Sequence, residues 1–329
     1  MEVRKLIKMG KSSCVVSLPK KWIDSTKLKP GNNVYIDDFS NGGLLLRSEN
    51  SAPQMRTVTL QLDNKIDFDY LQRILVSKYL TGFERIDIEG KEILSPKLRE
   101  EISRVSSSLI GLEVVEEGMK RISIECLVKP GELPIDKIIR RMYLLAKDMH
   151  KDAVDVLFQR DKILAKTVIE RDSTINRLHY LSMRYLNLAT TPGASSDIDI
   201  SAKECLFYQS TTKKLEGVAD HAKGIAKYLS RVDQRKLPKN LVENIKKVNL
   251  RINELFDTSM RAFFKNDPVM ANSVIENSES IREELKEMAQ SALRLKGEAA
   301  LNIALALDSG LRIIEYSGEI AEVVIDRAA

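Results

Sequence analysis

The sequence has little cysteine, few aromatic residues and no long apolar run. Its 329 residues include three cysteines, which are far apart and form no CxxC pair: Cys14, Cys126 and Cys205. This argues against a disulfide framework or a cysteine zinc site and is typical of a reducing compartment. No apolar run approaches the roughly 20 residues that cross a bilayer, and no apolar segment follows the basic N-terminus. We therefore predict a cytoplasmic protein without membrane insertion or signal peptide.

Motifs of known enzyme chemistries are also absent. Gly10-Lys11 lacks the upstream glycine of a phosphate-binding loop. The sequence contains neither HExxH nor GxSxG, and its few Cys and His residues are not clustered. We therefore predict that the protein is not an enzyme.

Positive charge is concentrated at the start of the chain. The net charge is +5, and residues 1–30 carry eight Lys/Arg against two acids, a net charge of +6. The remaining residues are therefore close to neutral in total. A local positive field of this kind attracts polyanions.

Residues 1–50 predict a small ββαββ unit. Residues 3–8 and 13–18 have strand character, and a short helix is expected from Pro19. Lys29–Asn32 is a turn signal, and two further strands, VYIDDF and GLLLRS, flank Ser40-Asn41-Gly42 as a hairpin. The polar stretch Ser48–Pro53 is expected to be a linker. Because about fifty residues bury only a limited core, this unit is expected to dimerise.

Residues 55–130 follow the order βαβαββ, which predicts a small α/β sandwich with helices packed on a sheet. Ser95 and Pro96 are expected to begin its second helix, and Gly118 to separate its last two strands. No catalytic motif lies in this segment, so a spacer, a dimerisation module and a small-molecule sensor remain open.

Residues 135–329 are predicted to be helical almost throughout, with breaks at Thr191–Gly193 and Leu237–Pro238. The segment repeats itself. FQRDKILAKTVIERDSTI from Phe158 aligns with FKNDPVMANSVIENSESI from Phe264 at an offset of 106. KLEGVADHAKGIA aligns with IIEYSGEIAEVVI at an offset of 99, so the first repeat has a longer loop. Two tandem units, about 135–235 and 240–329, are predicted, and the whole chain is an α+β multidomain protein.

At its N-terminal end the chain resembles a DNA-binding family. Residues 3–49, through MGKSSCVVSLPKKW, LKPGNNVYI and GGLLLRSE, resemble the SpoVT/AbrB family, which also includes MazE-type antidotes. The resemblance implies that two chains interleave swapped hairpins into one dimeric β-barrel and grip double-stranded DNA with basic residues on one face.

The helical segment resembles another family. VIERDSTI and VIENSESI, with LEGVADHAKGIA and IIEYSGEIA, resemble PhoU, whose domain consists of two three-helix repeats. The resemblance therefore implies tandem three-helix bundles. An AbrB-like head followed by a PhoU-like body is the architecture of proteins called phosphate uptake regulators. Residues 55–130 are covered by neither resemblance.

The candidate DNA-binding residues are cations and hydroxyls of the head. They are Arg4, Lys5, Lys8, Lys11, Ser12, Ser13, Lys20 and Lys21. Phosphate neutralisation requires flexible cations on one surface. Arg4 is the candidate for reading a base, because a guanidinium can make a bidentate contact.

Two acidic pairs are candidate metal ligands. Glu216 with Asp220 and Glu315 with Glu319 are each four residues apart, so each pair projects from one helix face. In PhoU such pairs hold metal ions, so the resemblance implies a divalent or iron-type ion here. The pattern departs from the family at Asn176, Ser278 and Arg282, where further acids are expected. The competing interpretation is an ion-paired face, with Lys213, Lys214 and Arg312 as cations. His179 and His221 are weaker candidates.

The leading functional hypothesis is a transcriptional regulator of phosphate uptake, acting as a homodimer or higher oligomer on double-stranded DNA. The helical body would receive its signal by contact with a phosphate transporter component or by binding a ligand. One alternative is a PhoU-like interaction protein that regulates a transporter or signalling partner without specific DNA binding. Another is an antidote-like regulator that binds a toxin.

Overall fold

The structure is a computed structural model of the whole chain. It describes residues 3–39, 43–48, 55–129, 131–159, 161–191, 198, 200–292, 294–295 and 297–329. The chain divides into two compact units, Met1–Met55 and Arg56–Ala329.

The first unit confirms the predicted ββαββ order. Its elements are β1 (Ile7–Met9), β2 (Ser13–Val15), α1 (Lys20–Thr26), β3 (Val34–Phe39) and β4 (Gly43–Ser48). The first two strands are shorter than predicted and form a hairpin in which Lys8 lies opposite Cys14. Gly10 has a φ of 73° in the turn between them, a conformation that glycine adopts without strain. Ser48 ends β4 instead of opening a linker, and the predicted turn at residues 40–42 lies outside the described residues.

Apolar strand residues of this unit are exposed. Among the residues of 3–48 whose side-chain burial is described, which leaves out 37–42 and 45, Ser48 alone is buried. More than half of the surface is exposed on the following large apolar residues: Val3, Leu6, Ile7, Met9, Ile36 and Leu44. Within one chain the strands of this unit form two separate two-stranded sheets, β1-β2 and β3-β4. The dimeric barrel stays a prediction.

The second unit begins with the predicted α/β arrangement. Its elements are β5 (Thr57–Leu62), α2 (Phe68–Leu80), β6 (Arg85–Gly90), α3 (Pro96–Ser107), β7 (Leu112–Glu117) and β8 (Arg121–Cys126). They form one four-stranded sheet of order β5-β6-β8-β7 in which only β5 and β6 are parallel. Buried Ile86 and Ile88 of β6 belong to one core with Leu75 of α2 and Ile102 of α3. The Ser95 side chain accepts from Leu98 N at 3.3 Å and caps α3 as predicted.

Six long helices occupy the described part of residues 135–329. They are α4 (Ile135–Gln159), α5 (Lys162–Thr190), α6 (Ala202–Leu229), α7 (Lys239–Lys265), α8 (Pro268–Ala292) and α9 (Glu298–Ala328), with a 3-10 turn at Gln234–Lys236. Helices end after Thr190 and begin at Lys239, at the two predicted breaks, and three further breaks, which were not predicted, separate α4 from α5, α7 from α8 and α8 from α9. Aligned aspartates, Asp161 and Asp267, accept backbone N–H groups at the starts of α5 and α8. None of the described helices combines the length and apolar composition needed to cross a membrane.

The two repeats pack against each other through antiparallel helices. The Arg140 guanidinium of α4 lies 4.4 Å from the centroid of Phe264, and the Lys246 amino group of α7 lies 5.8 Å from the centroid of Phe158. Both partners in one pair are 106 residues from their counterparts in the other, the offset of the sequence repeat. The same cation–aromatic contact therefore occurs once at each end of the α4–α7 pair.

Candidate functional site

The basic residues of the head occupy four local settings. Lys8 lies on β1, Lys11 and Ser12 lie in the turn after Gly10, and Ser13 begins β2. Arg4 and Lys5 precede β1, while Lys20 and Lys21 form the first turn of α1. All eight candidates are exposed. The described residues contain no acid within ion-pair distance of the following lysines: Lys5, Lys8, Lys11, Lys20 and Lys21.

Arg4 is partly engaged within the head. Its Nη1 donates to Ser17 Oγ at 3.4 Å. Such a long hydrogen bond between exposed groups contributes little and exchanges readily with a phosphate or base acceptor. The exposed lysines present a positive surface that suits phosphate contacts.

In the first helical repeat, the predicted acidic pair lies on α6 and is bound by lysines. Glu216 accepts from Lys213 Nζ at 2.7 Å, and Asp220 accepts from Lys223 Nζ at 2.7 Å. These partners lie three residues away on the same helix, a spacing at which side chains meet.

Asp172 of α5 belongs to the same cluster, although the sequence analysis did not single it out. Its Oδ2 accepts from Lys223 Nζ at 2.7 Å and from Asn176 Nδ2 at 3.2 Å. Its side chain is nearly buried, and Oδ1 has no partner in the described part of the chain. Burial raises the pKa of the Asp172 carboxyl, and the Lys223 ammonium opposes that shift. Lys223 thus holds two carboxylates from neighbouring helices together.

The second repeat is less acidic at the equivalent place. Position 278, which aligns with Asp172, is a buried serine, and Arg282, which aligns with Asn176, donates to Glu279 at 2.5 Å. On α9, Glu315 pairs with Arg312 at 2.8 Å and Glu319 with Lys214 of α6 at 2.5 Å. The acidic pairs therefore face cations in both repeats, as the ion-pair interpretation expects.

The structure does not bring these residues together as a ligand set. Among the described residues, no three His, Cys, Asp or Glu side chains form a group that could hold a metal ion. Burial lowers the pKa of both His179 and His221, and the His221 ring lies 5.8 Å from that of Tyr316. A metal ion would have to displace lysine ammonium groups from the carboxylates, so the metal hypothesis stays a prediction.

A buried arginine joins the small sheet to the helices. Arg184 of α5 is 2% exposed, and its Nη1 donates to the carbonyls of Tyr79 at 2.6 Å and Phe83 at 2.9 Å. Asn187, one turn further on, donates to Leu80 O at 2.8 Å. These three carbonyls lie at the end of α2 and just after it, where a helix has no internal donors left for its last carbonyls. Three hydrogen bonds therefore tie α5 to the end of α2.

The sequence of residues 139–229 matches the family model of the PhoU domain. The matched region covers most of α4 and all of α5 and α6, which form the first repeat. The family match does not include residues 1–50, where the resemblance to SpoVT/AbrB stays a prediction. A search of curated protein sequences gave no significant match.

Two solved structures are similar to the chain. The crystal structure of PhoU from Pseudomonas aeruginosa is 22% identical, and the alignment covers 59% of this chain and 96% of that one with a TM-score of 0.51. The crystal structure of the phosphate transport system regulatory protein PhoU from Streptococcus pneumoniae is 18% identical, covering 58% and 91% with a TM-score of 0.50. The chain therefore contains a PhoU-like helical fold.

Proposed function

We propose that this chain is a DNA-binding transcriptional regulator of phosphate uptake and is not an enzyme. The observation that carries the proposal is a set of exposed head lysines with no acid within ion-pair distance among the described residues, in a chain whose residues 139–229 match the PhoU domain. Exposed lysines that release condensed counterions from DNA supply most of the affinity of such surfaces. The PhoU-like helices supply the link to phosphate transport.

In this proposal the head acts as a dimer on double-stranded DNA. The exposed apolar strand residues of the head are covered by a second copy, and cations of both copies meet the phosphates. The helical body responds to a phosphate transporter component or to a ligand. A metal ion at Glu216, Asp220, Glu315 and Glu319 is a separate proposal that does not depend on DNA binding.

The test is fluorescence anisotropy of the full chain on duplex DNA from the promoters of phosphate-uptake genes, over a salt series. Arg4→Ala/Lys8→Ala is expected to weaken binding and to lower the log–log salt slope by roughly one for each lost phosphate contact. The matched control is Lys65→Ala/Lys97→Ala, two exposed lysines of the second unit. An unchanged slope in the head variant, or an equal change in the control, would refute phosphate contact by the head.

The alternative is an interaction protein that regulates a transporter or signalling partner without specific DNA binding. One of the similar structures is that of a phosphate transport system regulatory protein, which makes this alternative the second candidate. Absence of DNA binding by the full chain, with co-purification of a transporter subunit, would establish it. Co-purification of a small toxin would instead indicate an antidote-like protein.

A further inference from the structure

Residues 31–329 have a net charge close to zero, but they include a second basic segment. Residues 227–251 carry eight Lys/Arg and two acids, a net charge of +6 that equals that of residues 1–30. The segment runs from the last turn of α6 through the 3-10 turn into α7, so it connects the two helical repeats. Basic character is therefore not confined to the N-terminus.

The cations of this segment are exposed. We call the following set the distal basic end: Lys227, Arg231, Lys236, Lys239, Lys246 and Lys247, with Lys162 and Lys166 of α5. Over the described ranges, the only acid within ion-pair distance of the set is Glu170, 3.6 Å from Lys166. Of the two acids in the segment, Asp233 is held by Arg235. Arg251 of the same segment pairs with Glu284 of α8. The six cations that the segment contributes to the set have no ion-pair partner in the described part of the chain, so their positive charge is not neutralised locally.

Contacts bring the start of α5 to the same end as the 3-10 turn. Gln234 Nε2 donates to Phe158 O at 2.9 Å, and Lys246 lies over the Phe158 ring. The small sheet is bound at the opposite end of α5, through Arg184. Lys162 and Arg184 are 22 positions apart, which corresponds to roughly 33 Å of helix. Within the second unit, the distal basic end thus points away from the sheet.

Aliphatic side chains accompany these cations. Ile163, between Lys162 and Lys166 on α5, is 77% exposed, and Leu301 in the first turn of α9 is 61% exposed. Because Lys214 pairs with Glu319 and Glu204 with Arg327, α9 runs antiparallel to α6 and begins beside the end of α6. A DNA duplex has phosphates that bind the cations but no apolar region in which the aliphatic side chains could be buried. An anionic bilayer surface offers both.

We propose that the distal basic end docks on an anionic lipid bilayer. Its lysines lie over the headgroups, and Ile163 and Leu301 reach the boundary of the acyl chains, as in other peripheral anchors. Docking is peripheral, since it uses helix ends and loops. The inference goes beyond the proposed function and does not depend on DNA binding by the head.

The test is flotation of the full chain with vesicles of phosphatidylcholine, alone or mixed with phosphatidylglycerol. We expect binding only to the mixed vesicles, and its loss at high salt because surface attraction is screened. Lys236→Gln/Lys239→Gln/Lys247→Gln should lower the partition coefficient roughly 100-fold, at roughly fivefold per cation near the surface. The matched control is Lys137→Gln/Arg141→Gln/Lys265→Gln, three exposed cations at the opposite end of α4 and α7, which should bind like the wild type.

A second pair of variants tests the apolar contribution. Ile163→Gln should weaken vesicle binding several-fold, whereas Val269→Gln, its repeat equivalent with 80% exposure at the opposite end, should not. Equal binding to neutral vesicles, or unchanged binding of the distal triple variant, would overturn the proposal. A triple variant that keeps vesicle binding but loses duplex DNA affinity would assign the surface to nucleic acid instead.

Discussion

Gly217 of α6 lies directly against the ring of Tyr316 of α9: a Cβ at residue 217 would be 2.6 Å from Cε2 and 2.8 Å from Cζ of the tyrosine. The two residues are 99 positions apart, which is the offset that aligns these helices in the sequence repeat. Equivalent positions of the two repeats therefore contact each other. This contact and the paired cation–aromatic contacts at both ends of α4 and α7 indicate an approximate two-fold arrangement of the repeats.

Gly217→Ala is expected to destabilise the protein. In an open helix interior this change would stabilise by roughly 1 kcal/mol, because alanine is the better helix former. Here the added methyl overlaps the Tyr316 ring, and overpacking typically costs about 1–3 kcal/mol. Urea unfolding of Gly217→Ala should give a lower free energy of unfolding than the wild type. Gly318→Ala is the matched control, because a Cβ there meets nothing within 4 Å. Equal stabilisation of both variants would contradict the close contact.

Arg184→Met is expected to loosen the small sheet from the helices. The guanidinium makes two hydrogen bonds to carbonyls at the end of α2, and bonds to charged groups contribute about 1.5–3 kcal/mol each. We expect a loss of at least about 2 kcal/mol in unfolding free energy on this basis. Hydrogen exchange should accelerate in residues 79–83 more than in α9. Arg177→Met, at an exposed position of α5, is the control, and uniform acceleration across both regions would argue against a local joint.

Lys223→Gln is expected to make the protein responsive to divalent metal. The Lys223 ammonium holds Asp172 and Asp220 together, and without it two carboxylates face each other with no cation between them. Added Mn²⁺ should raise the melting temperature of Lys223→Gln more than that of the wild type. The control is Lys286→Gln, which removes the ion-pair partner of a single acid, Glu283. Added Mn²⁺ should raise its melting temperature no more than that of the wild type. An equally large metal effect in the wild type, lost in Glu216→Ala/Asp220→Ala, would instead support a resident metal.

Much of the fold follows from local sequence signals. The breaks near residues 191 and 238, the Ser95 cap and the repeat all depend on short-range patterns, and the structure has them where predicted. Asp172 and Arg184 were not identified, because their roles arise from distant partners: Lys223 is on another helix, and the carbonyls of Tyr79 and Phe83 are about a hundred residues away. The distal basic end was missed because a total charge over residues 31–329 averages acidic and basic segments that lie far apart in space.

Self-association of the full chain is expected to depend on the head. Ile36 of β3 is 62% exposed in one chain, and burial of an aliphatic side chain contributes about 1.5–3 kcal/mol. Ile36→Glu would place a charge in the apolar surface between two copies and should shift the sedimenting species from dimer toward monomer. Ile93→Glu, which changes a 51% exposed isoleucine of the second unit, is the control. A dimer that is unaffected by Ile36→Glu would place the interface elsewhere.

His150 lies between α4 and α7, where the two repeats meet. The ring is 1% exposed, and Nε2 lies 3.1 Å from Asn249 Oδ1. Burial lowers the pKa of His150 from 6.5 to about 4, and its hydrogen bonds to asparagine only partly oppose this. The folded protein therefore keeps the ring neutral while the unfolded chain takes up a proton. The stability from this group is complete above pH 6.5, declines as the pH falls, and is lost near pH 4.

NMR titration of the histidine Cε1–H signals should show His150 still neutral at pH values where an exposed histidine is protonated. The free energy of unfolding of the wild type should fall with decreasing pH by up to about 1.4 kcal/mol per pH unit for this one proton. His150→Gln, which cannot take up that proton, should show a shallower decline in the same window even if its overall stability is lower. Burial also lowers the pKa of His179 and His221, so some decline should remain in the variant. Identical slopes in the two proteins, or a His150 signal that titrates near 6.5, would show that the ring is accessible to solvent and that the contact between the repeats opens readily.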